Sequence, residues 1–178
     1  YLHAPFKISD ETSVLLLTNP EGNLCDRFAI QSAPQNVAQV KDPVSGKQAV
    51  TDMPTPGTSN NQQTFTSILS PPQFSQPAGF YDTAIELALN HDDPQVVVRF
   101  TTNGRDPSES DPVFQGPIRI SQTHALKARA FKEGFLPSSV ETASYVMSFA
   151  SQIPVVSLSG DPDAWFSDAR GMYVTGPG

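Results

Sequence analysis

The sequence predicts an all-β chain built around a short-stranded β-sandwich, and three observations predict it. Pro (17) and Gly (11) together make about one residue in six of the 178, so turns are dense and long helices have little room. Between residues 83 and 147, apolar residues recur with a period of two in short runs separated by turn residues. One of these runs ends in Thr101-Thr102-Asn103-Gly104-Arg105-Asp106-Pro107, a sequence that carries strong turn chemistry. At roughly 100–150 residues per domain the chain holds one to two domains, enough for a real core.

Residues 1–60 form the first segment. Val14-Leu15-Leu16-Leu17 is compatible with a buried strand, and Asn19-Pro20-Glu21-Gly22 places Pro and Gly where a tight turn wants them. Leu24 to Ile30 resumes as a second strand, with Leu24, Asp26, Phe28 and Ile30 on one face, so the pair reads as a hairpin. Residues 31–53 are polar and weakly patterned. Cys25 is the lone cysteine, which excludes an internal disulfide; it is expected to be a small core residue. Leu15, Leu17, the turn Asn19 to Gly22, the strand opening Leu24-Cys25-Asp26-Arg27-Phe28 and the closing Pro54-Thr55-Pro56-Gly57-Thr58-Ser59-Asn60 resemble the lamin-tail domain. That resemblance implies the latter part of an Ig-like sandwich, with an exposed edge.

Residues 61–67 are polar and read as a linker. The strongest pattern spans residues 68–148. Thr83, Ile85, Leu87 and Leu89 alternate onto one face, as do Val96, Val98 and Phe100. Ile118 and Ile120 make a short strand, Ala125 to Phe131 alternates again, and Val140 to Met147 supplies a last one. Residues 83–89 and 125–133 also contain good helix formers, but the alternation and the flanking turns favour strands. In the turn, Asn103-Gly104 accepts positive φ, Asp106 is expected to hold the next backbone turn through its carboxylate, and Pro107 fixes it.

Phe100, Thr101, Thr102, Asn103, Gly104, Asp106, Pro107, Phe114, Pro117, Ile118, Lys127, Ala128, Ala130, Gly134, Ser138 and Tyr145 follow a recognisable order. It resembles the β-sandwich module at the C-terminal end of chitobiase-type hexosaminidases, also called the fibronectin-III-associated module. Phe100 stands where that family often has Tyr, which removes a hydroxyl and keeps the aromatic ring. The resemblance implies an Ig-like, fibronectin-III-like sandwich, a secreted or cell-surface bacterial setting, and catalysis in another domain.

Residues 149–178 form a short strand–helix extension. Ile153 to Leu158 is strand-like; Asp161 and Pro162 mark a helix start, with Gly171 at its end and a further strand from Gly171 to Gly176. Ile153 to Gly176 resembles the entry segment of spore-coat CotH-like proteins. Their kinase-like domain would lie downstream, and no kinase motif occurs in this sequence.

Net charge is −7 and Lys and Arg are scattered, which argues against nucleic acid and anionic membrane surfaces as partners. No run of about 18 apolar residues is present, so no membrane insertion is expected. Neither a phosphate loop nor a nucleophile or metalloprotease motif occurs, and no cofactor is expected. His91-Asp92-Asp93-Pro94 reads as a surface turn. Weak candidates remain: Asp106, Glu109 and Asp111 for calcium, and Phe80, Tyr81 and Trp165 for stacking on sugar rings. Trp165 has an alternative role as a core anchor. The expected function is a non-catalytic structural, spacer or interaction module whose partners are other domains of the same protein. Two alternatives stand beside it: a carbohydrate-binding accessory module with a glycan partner, and a fragment of a CotH-like surface protein.

Overall fold

The computed structural model describes residues 13–31, 33–34, 36–58, 62–149, 154–167 and 171–172. The chain divides into two compact units, Tyr1–Ile68 and Leu69–Gly178.

In the first unit, strands β1 (Ser13–Thr18) and β2 (Leu24–Ile30) form the expected antiparallel hairpin. Its turn closes through Gly22 N–H to Asn19 O (3.0 Å) and Asn23 N–H to Asn19 Oδ1 (2.7 Å). The apolar run is not buried: Val14, Leu16 and Leu17 are exposed, because no second sheet covers this two-stranded ribbon among the described residues. Cys25 is exposed as well, against expectation. The register steps from Leu17↔Asp26 to Thr18↔Leu24, so Cys25 is the extra residue of a bulge and is turned out of the ladder.

The weakly patterned stretch holds a second hairpin, β3 (Ala38–Lys41) with β4 (Gln48–Thr51). Asp42 builds its turn. One carboxylate oxygen accepts from Ser45 N–H (2.6 Å) and Ser45 Oγ (2.7 Å), and the other accepts from Thr64 Oγ1 (2.7 Å). These hydroxyl and amide bonds hold the Asp42 carboxyl down to about 2. Gln48 ties the two hairpins together: its side-chain amide donates to Ala29 O (2.7 Å) and accepts from Ala29 N–H (3.3 Å). In the stretch expected as a linker, Phe65 exchanges both backbone hydrogen bonds with Val50 (2.8 and 2.9 Å).

The second unit is the sandwich. One face orders as β6 (Gly79–Tyr81), β12 (Glu141–Met147), β11 (His124–Phe131) and β9 (Val97–Thr101), with β6 parallel to β12 and the rest antiparallel. Opposite lie the pairs β10 (Ile118–Ile120) with β7 (Ile85–Leu87), and β5 (Gln73–Phe74) with β8 (Leu89–Asn90). Leu87, Leu89 and Ile120 meet Val98, Leu126, Ala128, Ala143 and Tyr145 in a closed core. Burying each of its large side chains contributes about 1.5–3 kcal/mol.

The strand expected over residues 83–89 is extended but broken at Ala88. Leu87 pairs with Ile118, whereas Leu89 pairs with Phe74. Ala88 bridges the change of partner by accepting from Ser75 N–H (2.9 Å) and donating to Ser75 Oγ (2.8 Å). Thr83 lies outside this ladder and is exposed.

Residues 154–158 form no strand. No described strand offers them an edge, and Val155, Val156 and Leu158 remain exposed. The short helix α1 (Pro162–Phe166) is as expected, with Asp161 Oδ1 accepting from Asp163 N–H (3.0 Å) and Pro162 opening the helix. It ends at Ser167, ahead of Gly171, whose N–H bonds Ser167 O (2.7 Å). The strand expected beyond Met172 lies outside the described residues.

Candidate functional site

Three surface features of the second unit are built tightly enough to bear on function. The first is the turn after β9. Gly104 adopts φ 84°, Asn103 Oδ1 accepts from Arg105 N–H (3.1 Å), and Thr101 Oγ1 donates to Arg105 O (2.5 Å). Pro107 is wholly buried. Asp106 does not hold the next turn. It accepts instead from Lys127 Nζ (2.7 Å), a largely buried ammonium on β11 that gains a counter-charge there. Asp111 takes the turn-holding role and accepts from Ser108 N–H (2.7 Å) and Ser108 Oγ (2.6 Å). The hydroxyl first, then the amide, lower the Asp111 carboxyl below its ordinary range. The candidate calcium carboxylates are therefore divided: Asp106 serves Lys127, Asp111 serves Ser108, and Glu109 is exposed. Among the described residues no three His, Cys, Asp or Glu side chains gather around one point.

This turn is also a latch. Arg105 reaches the strap that follows the sandwich, with Nη2 3.2 Å from Asp163 Oδ2 and Nε 3.6 Å from Asp161 Oδ1. Gly104 lies so close to the strap that a Cβ there would overlap the carbonyl oxygen of Gly160. Gly160 in turn packs under Trp165, where a Cβ would come within 2.5 Å of the indole Nε1. Farther back, Ser157 Oγ donates to Ser144 Oγ (2.9 Å). Ser144 and Ala125 are partners across β12 and β11, one residue out of phase with the core residues Ala143, Tyr145 and Leu126. The strap thus runs over the outer face of the four-stranded sheet. Ala125, Leu158, Trp165 and Phe166 line a cavity of about 380 Å³ there. Trp165 is half-buried on this outer face and takes no place in the core.

The second feature is aromatic. Phe80 is 54% exposed and stacks on Phe149, itself 52% exposed, with ring centres 6.2 Å apart and planes at 22°. Ser148, at a positive φ of 50°, turns the chain so that Phe149 doubles back. Tyr81 points the other way. It packs on Tyr145, with ring centres 6.0 Å apart, and donates its hydroxyl to Pro77 O (2.7 Å), so it belongs to the core side. Of the three aromatic candidates, Phe80 alone is exposed. Its partner Phe149 carried no signal in the sequence, because it follows the last patterned strand.

The third feature is a groove of about 500 Å³ at the β5 side of the sandwich, floored by Pro71, Pro72 and Phe74. His91 sits at its edge as a structural group. Its Nδ1 accepts from Asp93 N–H (3.0 Å), which leaves Nε2 to donate to Ser70 O (3.1 Å). The turn expected at His91–Pro94 is thereby confirmed, and Asp93 bonds Lys132 Nζ (2.6 Å). No helix of the described residues is long and apolar enough to cross a membrane.

Residues 76–143 match the family model described as the chitobiase/beta-hexosaminidase C-terminal domain. This agrees with the resemblance drawn from the Asn103–Pro107 turn and its strands; the lamin-tail and CotH resemblances gain no support from it. No curated protein and no solved structure matches the chain.

Proposed function

We propose, with the chitobiase-type module at residues 76–143 as premise, that this chain is a non-catalytic spacer and interaction module of a larger secreted or cell-surface protein. Its role is to fix the direction in which the polypeptide leaves the sandwich. One observation carries this reading: the strap is pinned over the outer face of the sheet by Arg105, by the Gly104–Gly160 approach and by Ser157. An idle connection would not need Gly104 against the Gly160 carbonyl and Gly160 against the Trp165 indole. The exposed Arg105 ion pairs contribute only about 0–1 kcal/mol, so close packing must supply most of the docking.

Hydrogen exchange tests this. The amides of Ala164, Ser167 and Met172 bond within the strap, and they are expected to be protected in the wild type. In Arg105→Ala they should exchange up to about fivefold faster, the equivalent of about 1 kcal/mol. Exchange at free-peptide rates in the wild-type chain would sink the spacer reading.

A second reading, a carbohydrate-binding accessory module, is favoured by Phe80 and Phe149. Two near-parallel rings held at the surface by a strained residue are suited to the apolar face of a sugar ring. Retention on at least one insoluble glycan of a panel is expected, and weaker retention for Phe80→Ala. No retention on any glycan would remove this reading.

A further inference from the structure

The Pro71–Phe74 groove differs from the rest of the surface in how its polar groups are used. Gln73, Gln76, Asp92, Glu141 and Thr142 all line it. Among the described residues, none of these five side chains makes a hydrogen bond or ion pair. Much of the backbone beneath them is, by contrast, engaged. Gln73 and Phe74 pair with Asn90 and Leu89, Ser75 is locked to Ala88, and Gln76 O accepts from the buried Tyr145 hydroxyl (2.9 Å). Pro72 is completely buried and anchors this stretch to the sandwich. An apolar floor ringed by uncommitted amide, hydroxyl and carboxylate groups can bind a polar ligand without first breaking hydrogen bonds within the protein.

The chemistry of the lining narrows the ligand. Two carboxylates, Asp92 and Glu141, line the groove and no Lys or Arg does. His91 is engaged by Asp93 N–H at Nδ1 and by Ser70 O at Nε2. Anionic ligands would therefore meet the two carboxylates and no Lys or Arg. Pro71, Pro77 and Phe74 offer CH and ring surfaces to the apolar face of a pyranose, while the amides and acids suit its hydroxyls. A volume of about 500 Å³ leaves room for more than one sugar ring.

We propose that this groove binds a short oligosaccharide whose rings are neutral or carry amines. The inference rests on the carbohydrate-binding reading, but assigns the contact to a site separate from the Phe80–Phe149 pair.

NMR titration of the intact chain tests it, with N-acetylglucosamine tetramer, glucosamine tetramer and an oligogalacturonate as probes. Saturable shifts are expected at the amides of Gln73, Gln76, Asp92, Glu141 and Thr142 with the first two, and none with the oligogalacturonate. Glu141→Gln, at an exposed position, should weaken the amine-bearing tetramer about fivefold or more and leave the acetylated one little changed. Gln76→Ala should weaken both, since it removes the side chain and keeps the carbonyl that holds Tyr145; Phe80→Ala should leave the shifts at the groove amides unchanged. Shifts confined to Phe80 and Phe149 would overturn the groove and keep the glycan reading. No shift with any sugar, alongside no retention on insoluble glycans, would end both. Equal binding of the oligogalacturonate would overturn the charge argument. A lysine-rich peptide that produced the same shifts as the glucosamine tetramer, without any from the acetylated one, would overturn the sugar assignment in favour of an amine site.

Discussion

Tyr145→Ala is expected to lower the stability of the second unit by about 3–5 kcal/mol, the range for removing a buried aromatic ring. Tyr145 is fully buried and packs against Phe74 and Tyr81, with ring centres 6.5 and 6.0 Å away. Its hydroxyl also donates to Gln76 O (2.9 Å), in the connection between β5 and β6. Tyr145→Phe separates the two contributions. It keeps the ring and leaves the part-buried Gln76 carbonyl without this donor, at a cost of about 1–3 kcal/mol. Urea melts of the three proteins measure both steps. If Tyr145→Phe cost as much as Tyr145→Ala, the ring packing argued here would be wrong.

The same residue sets an alkaline limit. Burial, with a smaller contribution from the neighbouring Tyr81, pushes the Tyr145 hydroxyl up to about 12 from an ordinary value near 10. The folded state therefore holds this proton more tightly than the unfolded chain does. Its contribution is fully present below pH 10 and is lost as pH rises from about 10 to 12. The loss is roughly 2–3 kcal/mol, since each pKa unit is worth about 1.4. Tyr145→Phe has no hydroxyl to titrate, so the gap in stability between wild type and this variant should narrow over that window. A gap that stays constant from pH 9 to 12 would contradict the burial argument.

Gly104→Val is expected to have the second large effect, and in two places. The positive φ of 84° strains a β-branched residue by about 1–3 kcal/mol. Its side chain would also strike the carbonyl of Gly160 and lift the strap from the sheet. The melting point of the sandwich should fall, and proteases should cut within residues 154–167 faster than in the wild type. Gly104→Asn offers a control, because Asn tolerates the left-handed region better yet still collides with Gly160. A strap equally protected in both variants and the wild type would show that the contact does not hold it.

The contrast between Gly104 and Gly160 shows how far the sequence could be read. Asn103-Gly104 announces a turn at positive φ through local chemistry alone, and the turn is where it was expected. That Gly104 also has to admit the backbone of residue 160 could not be read, because nothing local links positions 56 apart. The same limit explains Ala88. The alternation of Ile85, Leu87 and Leu89 marks an extended chain facing a core, but not that Leu87 and Leu89 pair with different strands. Asp106 and Asp111 are chemically interchangeable in the sequence; only the position of the Lys127 ammonium sends one carboxylate across the sheet and leaves the other to build the turn. The β3–β4 hairpin was missed for a different reason. Asp42-Pro43-Val44-Ser45-Gly46 is a legible turn, but strands of four residues are too short to establish a period.

For this protein the sequence by itself determined the all-β class, the sandwich around residues 68–148 and the turn that marks its family resemblance. Those features come from side-chain alternation and backbone preference, which act over a few neighbouring residues. The tertiary structure alone decided which aromatics face solvent, where Cys25 points, how the strap crosses the sheet and which polar side chains around the groove stay uncommitted. Each of those depends on which distant segments meet, and that is fixed by packing the core rather than by any local pattern.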